Sequence, residues 1–558
     1  RDITIENGSS LTVASGTLMI YGSVTSNGGL DASDGTVEFA GSSAQSVGNN
    51  IFTGNTVKNL TVNNNAGVTL QGPLNVSGVV LVQNGSLVSD GNLILVSDAL
   101  QTALIDGSGA GNVTGNVTMQ RYLSSGFGYK YFSSPFQAAT VGEFGDDMDL
   151  TYAFPLFYRF NENSGASGWI NWTNSGNPLN PLEGYAVNFG ELTAPKTVDV
   201  TGLVSDGSLS VTLFNHDSLF TEGFNLVGNP YPSPVNWDAG GWTKPNIDDA
   251  LYYFKASDTD QYGGTYSTYV NGESSDGAAT NIIPSMQGFF VHVSDGTFPV
   301  TGTIGVNNSV RVNDLTHPFL KSANASDHFL LRATAAFTDD NASADPLVVY
   351  FDAAAENTFD GEYDALKLMN TDLMVTNFYS VLPGDVRLSI NALPNLADSL
   401  LYVPLGLKIH RDGEVRFKLA DLKMMPPGMN IYFRDALTGT NTDLLPSGEY
   451  KVTLSAGDYD SRFLLAFQKA TTGIITPGVS PDIFTAYYAG GLVKATVWTI
   501  DGNDGLITVY DLSGRLVFAK KVYETGRYDL VVSVKRGMYI IRYSTGKLQR
   551  TVKLIIGM

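Results

Sequence analysis

Short apolar triplets, not heptads or long apolar runs, decide what this chain can fold into. Leu11-Thr12-Val13, Leu18-Met19-Ile20, Val37-Glu38-Phe39, Leu60-Thr61-Val62, Val68-Thr69-Leu70, Leu74-Asn75-Val76 and Leu93-Ile94-Leu95 recur through residues 1–120, about six or seven residues apart in the denser stretches. Period-two alternation over so few residues is a strand signal. Strands this short cannot enclose a sandwich core alone. Stacked as coils of a parallel β-helix, they bury one continuous apolar column. Gly67, Gly72, Gly85 and Gly91, with neighbouring asparagines, are expected to turn the corners. The reading is an N-terminal parallel β-helix-like solenoid over 1–120. Arg1-Asp2-Ile3-Thr4 does not resemble a signal peptide. The first residues already read as strand, so the gene product is expected to continue upstream of Arg1.

From Arg121 the strands become longer and aromatic, and the sequence repeats itself. Gly128-Tyr129-Lys130-Tyr131-Phe132-Ser133-Ser134-Pro135-Phe136 matches Gly223-Phe224-Asn225-Leu226-Val227-Gly228-Asn229-Pro230-Tyr231. Leu156–Phe160 resembles Leu251–Lys255, and Pro181–Val187 matches Ser285–Val291. Three blocks in one order, in two copies, predict a duplicated β-sandwich module over 121–315. Pro135 and Pro230 are expected to end a strand, Gly184 and Gly288 to permit a tight turn, and the aromatics to form core. Turn-separated apolar runs such as Leu347–Phe351 and Ile431–Asp435 predict a further β-sandwich over 322–470. Residues 471–482 carry Gly473, Pro477, Gly478 and Pro481 and read as a linker to a last small domain, 483–558.

Composition narrows the chemistry. The 558 residues suit several domains. There is no Cys, which removes disulfides, thiolate metal sites and thiol nucleophiles. The formal charge of −21 hides an asymmetry: residues 506–558 hold ten basic and three acidic groups, a balance of +7, leaving −28 on the rest. An acidic body argues against nucleic acid, whose phosphates call for Lys and Arg. No apolar run approaches the roughly 20 residues of a membrane-spanning helix. The five His lie at least eleven residues apart, so no HExxH helix exists, and there is no Gly-x-Ser-x-Gly elbow. The solenoid has only Arg1 and Lys58 as bases and no His, too few groups for a polysaccharide lyase. No catalytic residue is therefore expected. Calcium is the one candidate cofactor, at Asp146, Asp147 and Asp149 or at Asp339, Asp340 and Asp345, although neither group follows an EF-hand loop and solvated acidic loops are the bland alternative. Trp169 with Trp172, and Trp237 with Trp242, are candidates for stacking on sugar rings, weighed against core packing.

The last segment carries the most specific pattern. Val509-Tyr510-Asp511-Leu512-Ser513-Gly514-Arg515 reads as a strand and its turn, Gly537-Met538-Tyr539 opens another strand, and a strand bearing Lys553 closes the chain. In this order and spacing, Ile483 to Met558 resembles the type A C-terminal sorting domain of proteins exported by the type IX secretion system of Bacteroidota. The resemblance makes Tyr510, Asp511, Gly514, Arg515, Gly537, Tyr539 and Lys553 the sorting motif. It implies an Ig-like fold, recognition by the outer-membrane translocon and its shuttle protein, and removal by a surface sortase. The implied destination is the cell surface or the medium, after passage through periplasm and outer membrane. Gly228–Pro234 and Met286–Phe290 are also similar to segments of large surface proteins of that phylum. These readings combine into an all-β secreted structural or adhesive protein. Its sharpest form is a fibre or surface-layer component meeting copies of itself or surface glycans. The alternative is a polysaccharide-binding or polysaccharide-degrading secreted protein, and a third reading puts the effector upstream of Arg1.

Overall fold

The computed structural model describes residues 2–154, 156–316, 328–339, 343–394, 400–445, 448–460, 462–469, 483–489, 492–498, 505–523, 526–533, 535–545 and 549–556. The expected linker, 471–482, and Asp340 lie outside the described residues. Strand accounts for 55% of the chain and, among the described residues, no helix reaches seven residues, so the all-β reading holds. The chain divides into two compact units, one of Arg1–Gly272 with Ala278–Ala323, the other of Glu273–Gly277 with Asn324–Met558.

The first unit begins with the solenoid. Its strands pair in parallel, and the apolar triplets stack in columns as the spacing predicts. Leu18 pairs with Val37, Val37 with Leu60 and Leu60 with Val80. A second column runs Val57, Val76, Leu95, Met119. Three triplets per coil give steps of about 20 residues, hence the six-or-seven-residue spacing. Several triplets fuse into longer strands that bend at the corners, such as Thr56–Leu70 and Val79–Val88. Asparagines serve these corners through their side chains as much as their backbone. Buried Asn64 donates to the Ser43 carbonyl and to Gln45, and Asn84 donates to Asn63 on the next coil.

The duplicated module is built from two sets of six strands. The first set is β1 (Asn116–Leu123), β2 (Tyr129–Phe132), β3 (Phe157–Phe160), β4 (Trp169–Asn171), β5 (Tyr185–Asn188) and β6 (Lys196–Val204). The second is β7 (Leu209–Asn215), β8 (Phe224–Gly228), β9 (Leu251–Ala256), β10 (Gly264–Val270), β11 (Gly288–His292) and β12 (Val300–Val306). The pairing is the same in both: β2-β5-β3-β4 lie side by side, as do β8-β11-β9-β10, and β1 pairs with β6 as β7 does with β12. β1 also pairs in parallel with Leu93–Leu95, so one sheet passes from the solenoid into the first repeat, and residue 120 falls inside that strand.

The repeats lock together reciprocally. Phe132 bridges Gln287, and the matching Val227 bridges Glu183. Leu182 and its counterpart Met286 both hold positive φ, 66° and 59°, and each is buried in the core of the other repeat. Gly184 and Gly288 do not make the tight turns expected of them. A Cβ on Gly184 would sit 2.5 Å from the Val227 carbonyl oxygen, and one on Gly288 would sit 2.8 Å from that of Phe132. Close backbone approach between the repeats is what excludes a side chain there.

In the second unit, ten strands follow one hydrogen-bonded path from Thr440–Asp443 through Phe463–Lys469, Val386–Leu393 and Phe329–Phe337 to Glu449–Leu454. All neighbours on this path are antiparallel except Asp345–Phe351 with Val386–Leu393. Alternate residues of these strands make a core rich in Phe and Leu, including Phe337, Phe351, Phe378, Phe417 and Phe467. The last domain has two small sheets. Ile483–Ala489, Leu492–Trp498 and Gly526–Leu530 form one; Leu516–Val522, Gly505–Asp511, Gly537–Ser544 and Gln549–Ile556 form the other. Val493, Val497, Ile507, Val509, Ile541 and Leu554 are buried between them.

Candidate functional site

The turn expected to carry the sorting motif is held by one carboxylate. Asp511 ends its strand, and its side chain accepts from Ser513 N, Ser513 Oγ, Arg515 N and Arg515 Nε at 2.5–3.0 Å. The Ser513 and Arg515 hydrogen bonds hold that carboxyl below its ordinary range. Gly514, at φ 83°, closes the turn in the left-handed region. Tyr510 lies under the Arg542 guanidinium, 5.1 Å from the ring centroid. Tyr539 is buried and donates to the Lys535 carbonyl at 2.7 Å, which fixes the entry of the strand that Gly537 opens. Lys553 pairs in register with Ile540 and is exposed. The motif thus presents Arg515 and Lys553 to solvent above a small packed core.

Between the two repeats lies a pocket of about 160 Å³, lined in part by Arg159, Glu162 and Glu183 of the first and by Leu213 and His216 of the second. Buried Glu162 accepts from the His216 amide at 2.9 Å and from Nδ1 of its ring at 2.5 Å. Glu183 accepts from Tyr185 Oη at 2.8 Å and Asn180 Nδ2 at 3.1 Å. Burial, reinforced by this carboxylate, keeps the Tyr185 hydroxyl well above its ordinary range. Arg159 lies over Trp172, 4.3 Å from the ring centroid, with Nε buried and without an acceptor. The sequence gives no hint of this site. His216 and Glu162 are 54 residues apart, just past the ends of β7 and β3, and meet only in the fold.

The acidic groups fall differently from the sequence reading. Asp146 and Asp147 come together with Asp199 of β6, not with Asp149, each offering a carboxylate oxygen within 4.8 Å of the others. Among the described residues, this is the arrangement that can offer three carboxylates to a hard cation such as calcium. Asp147 is held by Lys196 at 3.1 Å. Burial, then repulsion from Asp146, raises the carboxyls of Asp147 and Asp199 above their ordinary range. Asp149 instead accepts from Thr151 N and Oγ1 in its own turn. Asp339 makes a two-oxygen pair with Arg411, and Asp345 is buried against Lys367. Asp340, the third member of that group, lies outside the described residues.

The four tryptophans are packing residues. Trp169 lies among Tyr131, Phe160 and Phe290 at 5.0–6.0 Å between centroids. Trp172 offers its face to Arg159 and its indole N–H to the Pro178 carbonyl. Trp237 is 1% exposed and packs on Trp242 and Phe289, and Trp242 donates to the Asn236 carbonyl. Of the four, Trp237 is fully buried, while Trp169, Trp172 and Trp242 are half-buried.

Comparison with known proteins assigns the two parts of the chain separately. A family described as "Domain of unknown function (DUF8693)" matches residues 33–467. One described as "Secretion system C-terminal sorting domain" matches residues 494–557. The last domain is therefore a type IX secretion sorting domain, which marks the protein for export to the cell surface or the extracellular space and for recognition by the type IX machinery. No helix among the described residues is long and apolar enough to cross a membrane. No curated protein matches the chain. Among solved structures, a β-D-glucuronidase of Dictyoglomus thermophilum aligns at 11% identity over 63% of this chain and 44% of that one, with a TM-score of 0.12, too low for a shared fold.

Proposed function

This chain belongs to the DUF8693 family, and from that premise we propose that its exported body is a structural or adhesive scaffold on the cell surface. One observation carries the proposal: the sheet passes without a break from the solenoid coils through β1 into β6, so solenoid and first repeat form one hydrogen-bonded fabric. Force applied along such a fabric is shared by ladders of backbone hydrogen bonds and not by a flexible linker. The reciprocal locking of the two repeats extends that continuity to β12. In its fullest form the scaffold is a fibre or surface-layer component. Polysaccharide binding has less support, because each of the four tryptophans that would stack on sugars is engaged by aromatic, cationic or hydrogen-bonding neighbours. The test is a deletion strain of a secreting host. Loss of attachment or of surface filaments in electron micrographs is expected. Unchanged attachment, with purified protein that sediments as a monomer at high concentration, refutes the proposal.

A further inference from the structure

The two repeats match strand for strand, and one difference between them has a chemical meaning. Arg121 on β1 stands opposite Val198 of β6, and Leu213 on β7 stands opposite Gly302 of β12. β5 ends at Asn188 and β6 begins at Lys196; β11 ends at His292 and β12 begins at Val300, so both connections have the same length. Val198 and Gly302 are therefore equivalent positions, which makes Leu213 the counterpart of Arg121. The aligned blocks make Glu183 the counterpart of Gln287.

In one half of the module the chain fills this place itself. Arg121 donates Nη2 to Gln287 Oε1 at 3.0 Å and Nη1 to the Ser285 carbonyl. Gln287 is fixed in turn by donating to the carbonyls of Tyr131 and Gly288. In the other half, the shorter Leu213 leaves a pocket of about 160 Å³, with Glu183 on its wall. That is the room of about five waters, at about 30 Å³ each.

We propose that this pocket receives the guanidinium of an arginine side chain from a partner protein, with Glu183 as the receiving carboxylate. The occupied half shows the chemistry in neutral form, a guanidinium donating to a carboxamide oxygen. The open half replaces that carboxamide with a carboxylate, the better acceptor for a guanidinium. Glu183 is already oriented by Tyr185 and Asn180. The other charged groups of the lining are Glu162, bonded to His216, and Arg159, stacked on Trp172. Two carboxylates thus face one guanidinium and one imidazole. This inference stands whether or not the protein is adhesive.

The experiment is calorimetric titration of the full chain with L-argininamide, using L-citrullinamide as the neutral isostere. Saturable millimolar binding of argininamide, with citrullinamide weaker by about tenfold or more, is expected. Glu183→Gln should weaken argininamide by a similar factor. Leu213→Arg should abolish binding by filling the pocket as Arg121 fills the other one, with no fall in thermal midpoint. Absence of argininamide binding overturns the proposal, as does equal binding of the two amides by the unmodified protein. Binding that survives Leu213→Arg also overturns it. So does saturable binding of D-galacturonate lost in Arg159→Gln, which would make the pocket an anion site.

Discussion

Lys367 and Asp345 make the sharpest test of how the second unit is held. Their side chains are 3% and 1% exposed, and Lys367 Nζ donates to both carboxylate oxygens, at 2.8 and 2.6 Å. Asp345 Oδ2 also accepts the Phe378 amide at 2.6 Å, tying Asp345–Phe351 to Asn377–Leu382. At this distance the attraction is about 6 kcal/mol for an effective dielectric near 20. Desolvating each ion costs several kcal/mol, so the intact pair is close to neutral against an apolar pair of the same volume. Removing one partner is different. Lys367→Met keeps the stem and deletes the ammonium, leaving a buried carboxylate with one backbone donor. The expected loss is about 3–5 kcal/mol. Hydrogen exchange read by mass spectrometry on peptides covering residues 345–351 and 377–382 should show protection falling by roughly two to four orders of magnitude. Asp345→Asn combined with Lys367→Met should recover most of it, since the Phe378 amide keeps an acceptor and no charge is buried. A single-variant loss below about tenfold would mean that the pair behaves like an exposed one, and the reasoning fails.

Three further outcomes follow from the same geometry. Gly184→Ala forces a Cβ to 2.5 Å from the Val227 carbonyl oxygen, whereas Gly16→Ala meets nothing within 4 Å. The first should lower the thermal midpoint by an overpacking cost of about 1–3 kcal/mol and the second should leave it unchanged; equal effects would contradict the interlocked repeats. Burial pushes Asp364 from the ordinary 3.8 up to about 7, although the Ala392 and Asp360 amides donate to it. Between those values the folded state keeps a proton that the unfolded chain has lost, so stability falls as pH rises through the window. Asp364→Asn should flatten that slope in urea titrations, and an unchanged slope places the titration elsewhere. Gly514→Ala puts a side chain at φ 83°, at a cost of about 1–2 kcal/mol to the sorting turn. It should cut surface delivery in a secreting host, measured by protease shaving of intact cells, and undiminished delivery would show that the turn is not read.

What was legible in the sequence was whatever repeats locally. The apolar triplets gave the solenoid columns because neighbouring coils bring like positions together. The three matching blocks are parts of β2, β3 and β5 and of β8, β9 and β11, the strands whose side chains meet at the contact between the repeats. The remaining strands match in pairing but not in residue type, as Arg121 against Leu213 illustrates, because a ladder is set by backbone groups that any side chain permits. Leu182 and Met286 could not have been predicted at positive φ; burial in the opposite repeat compensates for that conformation. The tryptophans were ambiguous for a similar reason, since the residue type suits a sugar platform or a core, and only neighbours decide. The carboxylate cluster was half legible. Asp146 and Asp147 are adjacent, but the third member, Asp199, arrives on a strand about fifty residues later, while the nearer Asp149 turns back on Thr151.

The reciprocal contact also shapes how the two repeats diverge. Phe132 and Val227, Gly184 and Gly288, and Leu182 and Met286 each touch the other repeat, so a change at any of them must be matched across the contact. Arg121 on β1 also reaches the other repeat, through Gln287 and the Ser285 carbonyl, and there the halves differ in charge and volume together with their acceptor, Gln287 against Glu183. The same logic applies at the end of the chain. Among the described residues, the buried core of the sorting domain draws on residues 484–556, and the cores built around Val62, Phe417 and Trp237 include none of them. Loss of this segment after export would remove no core residue from the body. It would remove a segment whose balance is +7 over residues 506–558, leaving an acidic scaffold whose self-repulsion favours solubility and whose contacts with partners favour basic groups, arginine among them.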